Sequence, residues 1–290
     1  MSTSGAGWPD ARTRLFAVLG YPISHSLSPV MHNAALRELG INAVYLALEV
    51  RPDDLATAIR GLAAIGCAGA NVTVPLKEIA ARCVARLDES ARQAGAVNTI
   101  GFEPEGPVGY STDGEGFLRG LREAFGVTPG GRRVFVLGCG GAGRTVALEC
   151  ARAGAASVAV CDADPARAAR LLGEIRASAP AVESEAVPTS DATRAARRAD
   201  LVVQATPVGL HDGDPSPLPP EAFEAGALAY DLIYHRPVTP FMRAAEAAGA
   251  RAANGLSMLL HQGARALELW TGRAAPIEVM RAALERAVYG

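Results

Sequence analysis

Lysine is nearly absent from this chain. Among 290 residues and 28 basic side chains, Lys77 is the single lysine. Arginine serves everywhere else, so the sole lysine points to a property arginine lacks: an amine that can shift its pKa and exchange a proton. Strong charge of one sign is missing too. The net charge of −2, without a long acidic or basic run, speaks against nucleic acid as a partner. No apolar stretch reaches the ~20 residues needed to cross a bilayer, so no membrane role is expected. Five cysteines, an odd number without a CxxC pair, argue against a disulfide framework or a zinc site; no metal is expected, and a reducing, cytoplasmic setting fits. Met1–Asp10, polar and Gly/Ser-rich, reads as a disordered leader and not a signal peptide.

What is present is a core-forming composition, 49% hydrophobic, in an alternating pattern. Leu15–Gly20, Ala43–Val50 and Ala68–Val74 read as strands. Pro29–Leu39, with Ser28 as N-cap, Asp53–Ile65 and a segment from Leu76 read as helices. Val97–Phe102 and Gly109–Thr112 suggest a hairpin or edge strands. After a linking helix at Gly116–Phe125 a second series begins: strands at Arg133–Gly138, Ser157–Asp162, Leu201–Ala205 and Leu228–Ile233. Helices run through Ala153 and over Pro165–Ser178, the latter capped by Asp164. His211–Pro220 is a Pro-rich surface loop. Leu256–Trp270, with Leu256, Leu260, Leu267 and Trp270 on one face, and Ile277–Val288 are closing helices. Such alternation predicts an α/β protein whose second part is a doubly wound, dinucleotide-binding sheet.

Gly138-Cys139-Gly140-Gly141-Ala142-Gly143 fits GxGxxG between a predicted strand and a predicted helix. There the glycines let the backbone approach a diphosphate, and the helix N-terminus favours its charge. Asp162 ends the next strand, where an acid binds the ribose hydroxyls of NAD and repels the 2′-phosphate of NADP. Arg144 and Arg167 lie close enough in sequence to meet such a phosphate. Asp164 suits helix capping better, which leaves Asp162 for the ribose. Cys139, with no histidine nearby, reads as a small space-filling residue.

Polar residues cluster in the first part in ways a core does not need. Ser26 and Ser28 precede a helix start and could cradle a carboxylate. Asn71 and Thr73 face one side of an extended segment, with Lys77 just beyond it. Asn71 and Asn98 are two of only five asparagines. His25 and His261 read as packing or supporting groups, and His32 as a helix residue near solvent.

Taken in order, GYPISHSLSP, ANVTVPLK, AGAVNT, TDG, GCGGAGR, ATPVG and GLSMLLHQ resemble the motifs of the shikimate dehydrogenase family, over nearly the whole chain. The resemblance implies an N-terminal α/β substrate domain completed by the C-terminal helices (1–112 and 255–290). A Rossmann domain (113–254) is inserted, with the active site in the groove between. It implies Lys77 and Asp113 as the catalytic pair and Ser26 and Ser28 as carboxylate ligands. Asn71, Thr73, Asn98 and Gln262 become partners of ring hydroxyls, and Tyr234 a neighbour of the substrate carboxylate. Thr206 and Gly209 belong to a loop beside the cofactor, and Gly255 lies near the nicotinamide. The implied activity is reversible, NAD(P)H-dependent reduction of 3-dehydroshikimate to shikimate, in aromatic amino acid and chorismate biosynthesis. The implied partner is a small molecule, with a homodimer left open.

Family habit favours NADP, whereas Asp162-Ala163-Asp164 stands where NADP users carry an Asn-Arg-Thr-like run, and so favours NAD. Gln204 stands in place of a common asparagine, and Ser111 likewise, with no consequence foreseen. An NAD-dependent quinate/shikimate dehydrogenase is the alternative. Quinate-preferring relatives tend to carry threonine at the position of Ser28. A non-catalytic dinucleotide-binding module is the rival from another class, against which Lys77 and Asp113 speak.

Overall fold

The computed structural model describes residues 9–290; the leader expected over Met1–Asp10 lies largely outside them. Asp10 itself is tied down, accepting hydrogen bonds from the Arg12 backbone and the Asn42 side chain. Chain contacts divide the protein into two compact units. One comprises the chain through Thr112 with Leu260–Val288 and Gly290, the other Asp113–Leu259 with Tyr289.

In chain order the first unit has β1 (Arg14–Gly20), α1 (Ser28–Glu38), β2 (Ala43–Glu49), α2 (Leu55–Ala64), β3 (Gly69–Val72), α3 (Lys77–Ala80), β4 (Arg86–Leu87), α4 (Glu89–Ala94), β5 (Thr99–Glu103) and β6 (Gly106–Tyr110). These strands form one sheet in the order β2-β1-β3-β5-β6-β4. β1 pairs in parallel with β2 and β3, while β5 is antiparallel to β3 and β6, so the expected hairpin is present. β1 and β3 lie inside the sheet and are covered on both faces, which is why they are almost purely apolar. Leu55, Ile59 and Leu62 on one stripe of α2 pack on Ala17, Leu19, Ala70 and Val72.

The second unit continues with α5 (Asp113–Phe125), β7 (Arg133–Leu137), α6 (Gly141–Arg152), β8 (Ser157–Cys161), α7 (Pro165–Ser178), β9 (Glu183–Ala186), α8 (Ala192–Arg197), β10 (Leu201–Gln204), β11 (Leu228–Asp231), α9 (Pro240–Ala247) and β12 (Arg251–Ala253). Its six strands are all parallel, in the order β12-β11-β10-β7-β8-β9. Counted within the unit that is 6-5-4-1-2-3, the doubly wound order with its switch point between β7 and β10. Alternation along the strands serves two cores. Val134, Val136, Leu201 and Val203 face Phe117, Val146 and Leu171, while Phe135, Leu137, Val202 and Ala229 face Ala196 and Phe241. Closing the chain are α10 (Leu256–Thr271) and α11 (Ile277–Tyr289). Among the described residues no helix is long and apolar enough to cross a membrane.

Two expectations are corrected. Ser28 does not cap α1: it is the first helical residue, and Leu27 holds the cap position without a side-chain bond. His32 is not near solvent but fully buried, because its face of α1 turns onto Tyr45 and Trp270. Asp164 does cap α7, accepting the Ala166 N–H at 2.9 Å.

Candidate active site

In the first unit the singled-out polar residues meet around β3 and β5. Asn71 is buried and its amide is hydrogen-bonded on both sides. Its Nδ2 donates to the Asn98 carbonyl and to Thr99 Oγ1, both at 3.0 Å, and its Oδ1 accepts from the Tyr45 hydroxyl at 2.7 Å. Thr99 passes the network on, donating to Asn98 Oδ1 at 3.0 Å. Asn98 Oδ1 also accepts the Thr112 N–H at 2.8 Å, and its Nδ2 reaches Thr112 Oγ1 and, at 3.4 Å, Gln262 Oε1. Ser28 is buried at the head of α1, and its N–H donates to Ser26 Oγ at 3.3 Å. The Lys77 carbonyl accepts the Val97 N–H at 2.9 Å, which sets the lysine backbone one residue from Asn98. Thr73 follows β3 directly, with its N–H on the Leu19 carbonyl.

These groups are held from behind by an aromatic cluster. The His32 ring stacks on Tyr45, centroids 4.3 Å apart and planes 4° from parallel. Trp270 packs beside both and donates Nε1–H to the Ile100 carbonyl at 3.0 Å. Burial lowers His32 to about 3, so the ring is neutral at physiological pH. Burial pushes the Tyr45 phenol well above its ordinary value, partly offset by the Ser28 hydroxyl. His25, by contrast, is exposed, so the packing role expected of it is absent.

The second unit builds a different cradle. Gly138 has φ +101°, and a Cβ there would lie 2.7 Å from the Ala205 carbonyl oxygen. A Cβ on Gly143 would overlap the Gly138 carbonyl. The first and last glycines of the motif are thus required by close backbone approach. Gly140 and Gly141 look instead into open space at the start of α6, where first-turn amides have no partner within the helix. That is the make-up of a diphosphate site, and the residues fit a dinucleotide. Cys139 is buried, and burial first, then Asp162, pushes its thiol up to about 12, which excludes a thiolate nucleophile.

Asp162 is less free than expected. Its Oδ2 accepts the Cys139 N–H at 2.7 Å and its Oδ1 the Asp164 N–H at 2.8 Å, which ties β8 to the glycine turn. A carboxylate has about four acceptor positions, so two remain for ribose hydroxyls. Arg144 pairs with Glu174 at 2.7 Å, and Arg167 with Asp164 at 3.7 Å.

Gln204 proves to have a consequence. Fully buried at the end of β10, it accepts the Thr206 N–H at 2.8 Å and donates to the Thr206 and Val208 carbonyls at 3.0 and 2.8 Å. Its side chain thereby shapes the loop of Thr206 and Gly209, and Thr206 Cγ2 lies against the Gly138 position. Asp231 does the same for the segment carrying Tyr234: its carboxylate accepts the Ile233 N–H at 3.0 Å and the Thr239 hydroxyl at 2.6 Å. Burial raises Asp231 to about 6, the two hydrogen bonds opposing it. Tyr234 is half-buried and stacks on His235, and burial raises its phenol. Gly255 abuts Leu232, its N–H on the Ile233 carbonyl at 3.2 Å. Asp113 opens α5. The amides and carboxylate that shape these loops (Gln204, Asp231) and the phenol of Tyr45 are what sequence reasoning did not assign.

Fold and glycine cradle together define a dinucleotide-dependent oxidoreductase with a separate polar, substrate-type unit. Comparison with known proteins narrows the class. The profile described as "Shikimate dehydrogenase substrate binding domain" matches residues 18–100, and "Shikimate 5'-dehydrogenase C-terminal domain" matches 255–285. A shikimate dehydrogenase (NADP(+)) of Moorella thermoacetica is 46% identical over 96% of this chain and 95% of its own. A crystal structure of a shikimate dehydrogenase in complex with NADP+ is similar at TM-score 0.90 and 32% identity, over 98% of both chains. The Listeria monocytogenes shikimate 5-dehydrogenase, in complex with shikimate and NAD, is similar at TM-score 0.89 and 30% identity, over 95% of this chain and 97% of its own. The chain belongs to the shikimate dehydrogenase family.

Proposed function

We propose that the chain catalyses the reversible reduction of 3-dehydroshikimate to shikimate, as an NAD(P)-dependent alcohol oxidoreductase. The observation that carries this reading is the hydrogen-bonded cluster of Asn71, Thr99, Asn98 and Gln262. A polyhydroxylated acid needs donors and acceptors fixed in direction, and these side chains supply both. By the family's motifs, Ser26 and Ser28 take the carboxylate, and Tyr234 is a further residue that those motifs assign to the substrate. Asn71, Thr73, Asn98 and Gln262 take the ring hydroxyls. The units of the chain then serve as a substrate domain and a cofactor domain. All five cysteines are free thiols, which suits the reducing cytoplasm.

Oxidising the ring alcohol sends the carbon-bound hydrogen away with its electron pair, while the hydroxyl proton goes to a base. A bound nicotinamide supplies the hydride acceptor. Lys77 takes the hydroxyl proton as the carbonyl forms and returns it in the reductive direction, and Asp113 is the other member of the catalytic pair that the family's motifs imply. Gly138–Gly143 hold the diphosphate, and Thr206, Gly209 and Gly255 border the nicotinamide end. At the ribose the reading favours NAD, since the Asp162 carboxylate repels a 2′-phosphate and both nearby arginines, Arg144 and Arg167, are already paired with acids.

Replacing Lys77 tests the chemistry. Lys77→Ala is expected to lower kcat by about 10²–10⁴ with the dinucleotide Kd unchanged, as for loss of a proton-transfer group. Turnover near the wild-type rate would remove Lys77 from the mechanism.

A further inference from the structure

Tyr45 belongs to none of the motifs that mark this site, yet its phenol is hydrogen-bonded to Asn71, one of the residues assigned to substrate. Its ring is 1% exposed. It therefore acts on a ligand, if at all, through its neighbours.

The direction of each hydrogen bond follows from what each atom can do. The Asn98 carbonyl can only accept, so the Asn71 amide must turn its Nδ2 towards it. Asn71 Oδ1 is then left facing Tyr45, and the phenol must donate its one hydrogen there, at 2.7 Å. The phenol thus fixes a polarity: it holds Asn71 in the orientation that supports Thr99 and, through Thr99 Oγ1, Asn98 Oδ1. His32 keeps the ring in place by stacking and, being neutral, places no charge beside the phenol.

We propose that Tyr45 is a positioning residue for substrate recognition, orienting the Asn71–Thr99–Asn98 relay at the ring-hydroxyl end. The proposal rests on the reading of these residues as a shikimate site.

Tyr45→Phe keeps the ring and its stacking and removes the hydroxyl alone. Loss of one oriented, buried hydrogen bond is expected to raise KM and Kd for shikimate about tenfold, with kcat and the dinucleotide KM little changed. Because Tyr45 acts through Asn71, Tyr45→Phe added to Asn71→Ala should cost less than the product of the two single effects. A second readout needs no substrate: the Thr112 amide, bonded to Asn98 Oδ1, should exchange its hydrogen faster in Tyr45→Phe, with α2 amides as the control. Unchanged shikimate binding in Tyr45→Phe, or effects that multiply independently, would overturn the proposal. If the wild type itself bound no shikimate, the functional reading would fall, and an unchanged Thr112 exchange would then dispose of the relay separately.

Discussion

At His32 burial decides the charge state, and the consequence is measurable. The unfolded chain protonates this imidazole near 6.5, whereas the folded protein resists until about 3. Below pH 6.5 the unfolded state therefore binds the proton first, and stability falls as pH drops. Asp231 acts in the opposite sense. Its folded value of about 6 lies above the ordinary 3.8, so it adds stability as pH falls from 6 to 3.8 and loses it as pH rises through 6. The two partly cancel in the wild type, and a single substitution separates them. His32→Leu should gain on the wild type by about 2 kcal/mol between pH 7 and pH 5, read as the difference between urea-unfolding free energies. Parallel curves for the two proteins would show that His32 does not stay neutral. At the ribose, Asp162→Asn should raise kcat/KM with NADP relative to NAD by removing the repelling charge. An unchanged ratio would assign Asp162 only the task the hydrogen bonds show, joining β8 to the glycine turn. Tyr45 could not be singled out from sequence for a similar reason. A tyrosine amid apolar residues in β2 has the local pattern of packing, and its bond to Asn71 spans 26 residues.

Loops set by one buried side chain are the recurring device among the elements. Gln204 stands at the end of β10, one methylene longer than the asparagine common among relatives, and carries three bonds to the loop that follows. Gln204→Leu would leave the Thr206 N–H and two carbonyls without partners. The expected result is a dinucleotide KM raised by about tenfold or more with the shikimate KM unchanged, because only the loop beside the glycine turn is affected. Equal rises in both constants would point to general unfolding instead. Strongly patterned elements were legible in advance: β1, β7, α7 and α10 agree with expectation to within a residue or two at each end. Short elements were not. β4, β9 and β12 have two, four and three residues, and β9 (ESEA) is polar because it closes an edge. α8 and α9 are alanine-rich segments whose apolar faces emerge only once the second side of the sheet exists to receive them.

The whole molecule is two sheets made by two rules. In the second unit every strand is parallel and the inner strands β7, β10 and β11 are buried, so their runs are mainly apolar, and the order follows the doubly wound pattern announced by the glycine turn. In the first, a parallel half meets an antiparallel hairpin, and β3 and β5 pair directly, with Asn71 opposite Thr99. That pairing gathers residues far apart in the chain into one polar cluster, which motif order alone suggested and local pattern could not. The central claim concerns what that cluster and the glycine cradle do jointly. The most direct measurement follows nicotinamide reduction by the purified protein with shikimate and with quinate, each with NAD and with NADP. Turnover with shikimate well above quinate, and NAD preferred, is the predicted result; no turnover of shikimate with either dinucleotide would contradict the account.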